Sequence, residues 1–145
     1  MTKKNKKLIF CVDDDLLFLK SFEIEFMRDK EFVIQTFSAG EACLEKLSLK
    51  PDIIILDYFL DGLDKEAMNG LKTLNEIKRQ APHIPVIMLS SQDSIEVAVN
   101  CMHHQAFDYV VKSETAFLRL RKTISSILLY RKMEAQLKTF NDKIK

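Results

Sequence analysis

At 145 residues the chain is long enough for one domain with a sizeable core and too short for two ordinary ones. Its 47% apolar and 30% charged residues exclude a disordered chain, and a net charge of +1 leaves no overall field to gather nucleic acid. No apolar run approaches the roughly 20 residues of a membrane span, and the basic start lacks the apolar stretch of a signal peptide, so a cytoplasmic protein with no membrane contact and no direct nucleic-acid binding is expected.

Lys3, Lys4, Lys6 and Lys7 open the chain and read as a solvated tail, with a weak anionic contact as the rival reading. The first strand is Leu8–Val12, and it runs into Asp13, Asp14 and Asp15. Phe18, Leu19, Phe22 and Phe26 then share one face of a first helix. A second strand over Phe32–Phe37 leads through Ser38-Ala39-Gly40-Glu41 into a second helix marked by Cys43, Leu44 and Leu47. The third strand, Ile53–Leu56, ends at Asp57. A long polar connection from Tyr58 to Asn69 precedes a third helix carrying Leu71, Leu74 and Ile77. The fourth strand, Val86–Leu89, meets Ser90 and Ser91, and a fourth helix follows with Ile95, Ala98, Val99 and Met102 as its core face. The fifth strand, Asp108–Val111, meets Lys112, and the fifth helix packs through Phe117, Leu120, Ile124 and Ile127.

Three of these five strands are almost continuously apolar, the mark of strands covered on both faces, and the helical stripes at three-and-four spacing are core faces. Strict alternation of strand and helix gives an α/β fold, a doubly wound five-stranded parallel sheet with helices on both sides. One domain spans residues 1–128. Beyond it, residues 129–145 continue as helix, with Tyr130, Met133, Leu137, Phe140 and Ile144 in a heptad-like series that is out of phase with the preceding core face. About two heptads leave two readings standing: a dimerising or linking helix, and a partly frayed tail. Cys11, Cys43 and Cys101 are odd in number and widely spaced, as buried thiols are and disulfide or zinc sets are not.

In a parallel sheet all strand C-termini share one edge, where ligands bind. That edge collects Asp13, Asp14, Asp57, Ser90 and Lys112. Three converging carboxylates repel unless a cation intervenes, and Mg²⁺, a hard ion that takes one or two carboxylates and keeps other positions open, suits them. A carboxylate can itself be a nucleophile; a lysine and a hydroxyl can hold the oxygens of a transferred phosphoryl group. Singly, each residue has a plainer reading: a helix cap for Asp13–Asp15, a turn for Ser90, a surface charge for Lys112. Their joint position at the correct strand ends argues for a metal-assisted phosphoryl site.

With Val12-Asp13-Asp14-Asp15, Pro51-Asp52 through Asp57, Pro85 through Ser90-Ser91, Asp108-Tyr109 through Lys112, and Ser38-Ala39-Gly40-Glu41, the chain resembles the receiver domains of bacterial two-component response regulators over about Lys7 to Leu128. The resemblance implies a flavodoxin-like strand order 2-1-3-4-5. It implies that Asp57 accepts a phosphoryl group from a sensor histidine kinase or phosphotransfer protein, and that Asp13, Asp14, Asp57 and the backbone carbonyl of Phe59 hold Mg²⁺, Asp13 through a water. It assigns Lys112 and Ser90 to the phosphoryl group, and Ser90 with Tyr109 to a switch. That switch changes the face made by the fourth helix, fifth strand and fifth helix, where members form homodimers or meet a downstream target. The chain would catalyse only its own phosphorylation and dephosphorylation. It carries no output domain, so it either acts alone or leads a longer regulator.

The chain departs from that pattern in three places. The Tyr58–Asn69 connection is long, lacks proline and adds Asp61, Asp64 and Glu66; it reads either as an insertion that alters kinase contact or as a tolerated surface loop. Ser113 follows Lys112 where a cis proline is usual, so a trans peptide is expected. Gln105 replaces a usual glycine before the fifth strand. His103 and His104 point apart on a helix and read as surface or partly buried side chains, not a chelate. Two other functions compete with this one. A haloacid-dehalogenase-like phosphatase would use Asp13 as nucleophile and Asp15 as acid/base, but only Glu114 follows the lysine where an acidic pair is needed. A receiver-like interaction module that is never phosphorylated would not need all five signature side chains.

Overall fold

The structure is a computed structural model that describes residues 6–60 and 68–144. Five parallel strands, β1 (Lys7–Val12), β2 (Phe32–Phe37), β3 (Ile53–Asp57), β4 (Val86–Ser90) and β5 (Asp108–Val111), form one sheet in the order β2-β1-β3-β4-β5. The helices are α1 (Leu16–Phe26), α2 (Gly40–Glu45, continued by a 3-10 turn over Leu47–Leu49), α3 (Gly70–Gln80), α4 (Ile95–His103) and α5 (Ala116–Lys143). The helix count is that expected from the sequence pattern, and the strand order is that implied by the resemblance to receiver domains. Asp57 and Ser90 end their strands from inside, not just beyond them.

Side chains alternate across the sheet and divide the core in two. Phe10, Val12, Ile54, Leu56, Val86 and Met88 face α2, α3 and α4, with Leu74, Ile77 and Cys101 packed on them. Ile9, Cys11, Ile53, Ile55, Ile87 and Leu89 face α1 and α5, with Phe22, Phe26, Leu120 and Ile124. Register follows from these two sets, since a one-residue slip would exchange them. All three cysteines are buried and free, and burial pushes the Cys43 thiol up to about 12 and the Cys101 thiol up to about 11.

The core face assigned to α4 needs correction. Ile95 is 82% exposed and Val99 61%, with Met102 also exposed, whereas Cys101 is fully buried and Val97 packs beside it. The helix has two apolar faces; periodicity finds both and cannot say which one meets the sheet. Gln105 closes α4 with a positive φ of 73°. Its N–H bonds the Met102 carbonyl at 3.0 Å and the Ala106 N–H bonds that of Cys101 at 3.1 Å. This is the paired capping arrangement in which glycine is the usual left-handed residue. The Lys112–Ser113 peptide is trans, as expected. Among the described residues α5 runs unbroken past the sheet. Arg131 donates to the His83 carbonyl at 2.6 Å, and Tyr130, Met133, Leu137, Phe140 and Ile144 stand exposed. Of the long polar connection, Asp61, Asp64 and Glu66 lie outside the described residues, as do Lys3 and Lys4. His103 is exposed, and His104 Nδ1 lies 3.3 Å from Asn75 Oδ1.

Candidate functional site

Asp13 follows β1 directly and is fully buried; its N–H bonds the Phe37 carbonyl at 3.0 Å, which fixes it to the neighbouring strand. Its Oδ1 accepts from the Asp15 N–H at 2.9 Å. Asp57 ends β3 at 3% exposure, and its Oδ1 accepts from the Phe59 N–H at 3.3 Å. Asp14 is half-buried between them, and one oxygen from each of Asp13, Asp14 and Asp57 lies within 4.8 Å of the others. Asp15 turns away: it is the N-cap of α1, accepting from the Leu17 and Phe18 N–H groups at 3.0 and 3.2 Å. Of the acidic triplet, two residues join the cluster and one caps a helix.

Lys112 Nζ lies 2.6 Å from Asp13 Oδ2 and 3.7 Å from Asp57 Oδ2. The closer contact is an ion pair with a fully buried carboxylate oxygen. Burial pushes the Asp57 carboxyl up and the Asp13 charge pushes it further; Lys112 and the Phe59 N–H pull it back, leaving it at about 7. Burial opposes the charge on Lys112, but the contact with Asp13 and the charges of Asp13, Asp57 and Asp15 outweigh it, and its pKa stands above the ordinary lysine value. One lysine thus faces more carboxylate charge than it can neutralise. Three carboxylates with oxygens within 4.8 Å of one another, two of them buried, form an all-oxygen donor set that fits a hard divalent cation.

Ser90, fully buried at the end of β4, accepts at Oγ from the Gln92 N–H at 3.0 Å, and its carbonyl takes the Lys112 N–H at 2.7 Å. The Tyr109 hydroxyl donates to the Gln92 carbonyl. Gln92 therefore joins the two residues expected to act as a switch; nothing in the sequence marks it. Phe18 packs against the core as its place in the first helix's stripe predicts, but sequence reading missed its contact with the site: its ring lies beneath Lys112 Nζ, 4.7 Å from its centroid. Gly70, the first residue of α3, is there for space: a Cβ would come within 2.2 Å of the Asp57 carbonyl oxygen. A further tie, from the Met68 N–H to Glu41 Oε2 at 2.9 Å, connects the start of α3 to α2.

Residues 9–125 match the profile of the response regulator receiver domain family. The chain belongs to that family. It is thus a receiver domain of two-component systems, and the phosphatase and unphosphorylated-module readings find no support. This receiver domain is 37% identical over 106 residues to the protein-glutamate methylesterase/protein-glutamine glutaminase of Bacillus subtilis strain 168, covering 70% of the chain and 28% of that protein. It spans about a third or less of the curated relatives it matches. The crystal structure of the NtrX receiver domain from Brucella abortus superimposes with a TM-score of 0.72 at 29% identity, covering 83% of this chain and 97% of that one. A CheY-like receiver domain protein from Methanospirillum hungatei JF-1 shares the fold, with a TM-score of 0.74 at 22% identity over 88% of this chain and 98% of that one. Receiver domains bind Mg²⁺ in an acidic pocket, and Asp13, Asp14 and Asp57 form an acidic cluster at the strand ends of this chain. No helix among the described residues is long and apolar enough to cross a membrane.

Proposed function

We propose that Asp57 is the phosphoacceptor of this receiver domain, taking the group from a phosphohistidine of a sensor kinase or phosphotransfer protein. The observation that carries the reading is the carboxylate cluster at the strand ends, with Lys112 3.7 Å from Asp57 Oδ2. An ionised Asp57 oxygen attacks phosphorus, the P–N bond breaks, and the departing imidazole keeps the electron pair and takes a proton. The product is an acyl phosphate on Asp57. Because Asp57 titrates near 7, a pairing cation is needed to keep it ionised across the neutral range. Asp13, Asp14, Asp57 and the Phe59 carbonyl are the oxygens we assign to Mg²⁺, Asp13 through a water. When bound, the ion supplies charge neutralisation to the cluster and to the phosphoryl oxygens. Lys112, released from Asp13, pairs with one phosphoryl oxygen, and the Ser90 hydroxyl donates to another.

The readout we propose runs through Gln92. To meet the phosphoryl group, Ser90 Oγ moves, and the backbone it holds at Gln92 moves with it, together with the carbonyl that tethers Tyr109. The exposed apolar residues of α4, Ile95, Val99 and Met102, stand on the face this motion alters, and the exposed α5 stripe extends the surface available to a second copy or to an output partner. Its only catalysis is of its own phosphorylation and dephosphorylation, its place is the cytoplasm, residues 1–128 are the receiver and 129–145 its linking or dimerising helix. Membrane and direct nucleic-acid contact form no part of this reading.

Peptide mass spectrometry after incubation with acetyl phosphate and Mg²⁺, with borohydride trapping, tests the reading. A Mg²⁺-dependent adduct on Asp57 is expected; an adduct on Asp13, or none, overturns it. Sedimentation with and without beryllofluoride tests the homodimer, and a monomer under both conditions refutes it.

A further inference from the structure

The lysine at the site has a tether that the acidic cluster does not provide. Lys112 Nζ sits 4.7 Å above the Phe18 ring centroid, within the range of a cation–π contact. Phe18 comes from the first turn of α1 and is itself buttressed: its ring is 5.7 Å from that of Phe117 on α5, and Phe117 meets Phe22 at 6.3 Å and Phe26 at 5.9 Å. Phe22 and Phe26 stack at 4.4 Å in the core. A ladder of rings thus runs from the buried α1–α5 interface up to the ammonium, and Arg121 covers its far end, 4.5 Å above Phe26.

From this we infer that Phe18 is a positioning residue for phosphoryl transfer to Asp57, acting through Lys112. The inference rests on the Asp57 reading given above. A lysine has a flexible four-carbon stem with rotamer freedom to lose, so a second tether shortens its search. The tether to Asp13 is ionic, and whatever neutralises Asp13 loosens it. A ring neither titrates nor binds a hard cation, so its attraction for the ammonium persists when the carboxylates are engaged. Phe18 then keeps Nζ beside Asp57 at the moment when the lysine must leave Asp13 for a phosphoryl oxygen. The Lys112 side chain is only 18% exposed, and contacts between charge and ring strengthen as water is excluded.

Two properties separate this role from mere packing: it needs an aromatic ring, and it leaves the metal-binding oxygens alone. In the full chain, Phe18→Leu is expected to slow Mg²⁺-dependent labelling of Asp57 by acetyl phosphate about three- to tenfold. Mg²⁺ affinity by calorimetry should stay within about twofold of wild type, and Phe18→Tyr, which keeps the ring, should restore the rate. The Lys112 Cε methylene protons, read by NMR of lysine-labelled protein, should lie upfield in wild type and Phe18→Tyr and return towards the ordinary lysine position in Phe18→Leu. Wild-type labelling rates in Phe18→Leu, or a methylene resonance that ignores the substitution, overturn the inference. Parallel losses of rate and Mg²⁺ affinity that Tyr fails to restore overturn it too. Should Phe18→Leu not fold, Phe18→Met carries the same test. If wild type takes no phosphoryl group, the Asp57 reading fails on its own, and the methylene resonance still decides whether the ring holds the lysine.

Discussion

Replacing Asp57 by Asn should stabilise the metal-free protein at neutral and alkaline pH, although it removes the proposed nucleophile. Asp57 is 3% exposed, with Asp13 beside it, and burial with that neighbouring charge lifts its pKa from 3.8 to about 7. The folded carboxyl therefore holds a proton that the unfolded one has already lost. Between those two values the native state binds more protons, and stability falls as pH rises at up to about 1.4 kcal/mol per pH unit. Above about pH 7 the penalty is complete; below about pH 4 both states are protonated and it vanishes. The window alone sets a ceiling of about 4 kcal/mol. Water entry and relaxation around a carboxylate at a strand end raise the effective dielectric, so on the order of 2 kcal/mol is the working expectation. Asn has the same shape and still accepts from the Phe59 N–H. Urea unfolding in chelator should show Asp57→Asn more stable by about 2 kcal/mol at about pH 8, a rise of roughly 4–8 °C in Tm, with the gain closing towards pH 4. Added Mg²⁺ should stabilise wild type more than the variant and narrow the gap. A variant no more stable than wild type at pH 8, or a gain that does not change with pH, would refute the argument.

Three other expectations follow from single positions. Gln105→Gly should raise stability by about 0.5–1 kcal/mol, seen as a higher urea midpoint with unchanged slope, because a non-glycine residue is strained at a φ of 73°; a loss of stability would contradict the strain. Gly70→Ala should destabilise by about 1–3 kcal/mol and weaken Mg²⁺ binding, since the new methyl meets the Asp57 carbonyl oxygen at 2.2 Å and one of them must shift; unchanged Mg²⁺ affinity by calorimetry would count against it. Arg121→Ala removes ion pairs to Glu25 and Asp29, a hydrogen bond to the Glu25 carbonyl and the cover over Phe26. A loss of about 1 kcal/mol is expected, shrinking only in part at high salt because the contact with the ring is not purely ionic; full recovery in salt would show the ion pairs to be the whole effect.

The parallel sheet and the residues on its ligand edge were legible in the sequence pattern; the strand order came from the resemblance to receiver domains. Strands such as Ile53–Leu56 and Val86–Leu89 are apolar on both faces, which only a covered sheet accommodates, and parallel strands put every C-terminal end on one edge. That puts Asp13, Asp57, Ser90 and Lys112 on one edge, and the order β1-β3-β4-β5 makes their strands neighbours. What needed the tertiary structure was direction. Within the triplet, Asp14 and Asp15 are chemically alike; the start of α1 turns one into a cap and leaves the other in the cluster. On α4 two apolar faces compete, and the packing of Cys101 and Val97 chose the one that pattern alone did not favour. Gln92 and Phe18 acquire their places from partners seventeen and ninety-four positions away, Tyr109 and Lys112. Periodicity reports which residues share a face. Which neighbour that face meets is set by side-chain orientation and by chain segments far off in sequence, and so it appears only once the chain is folded.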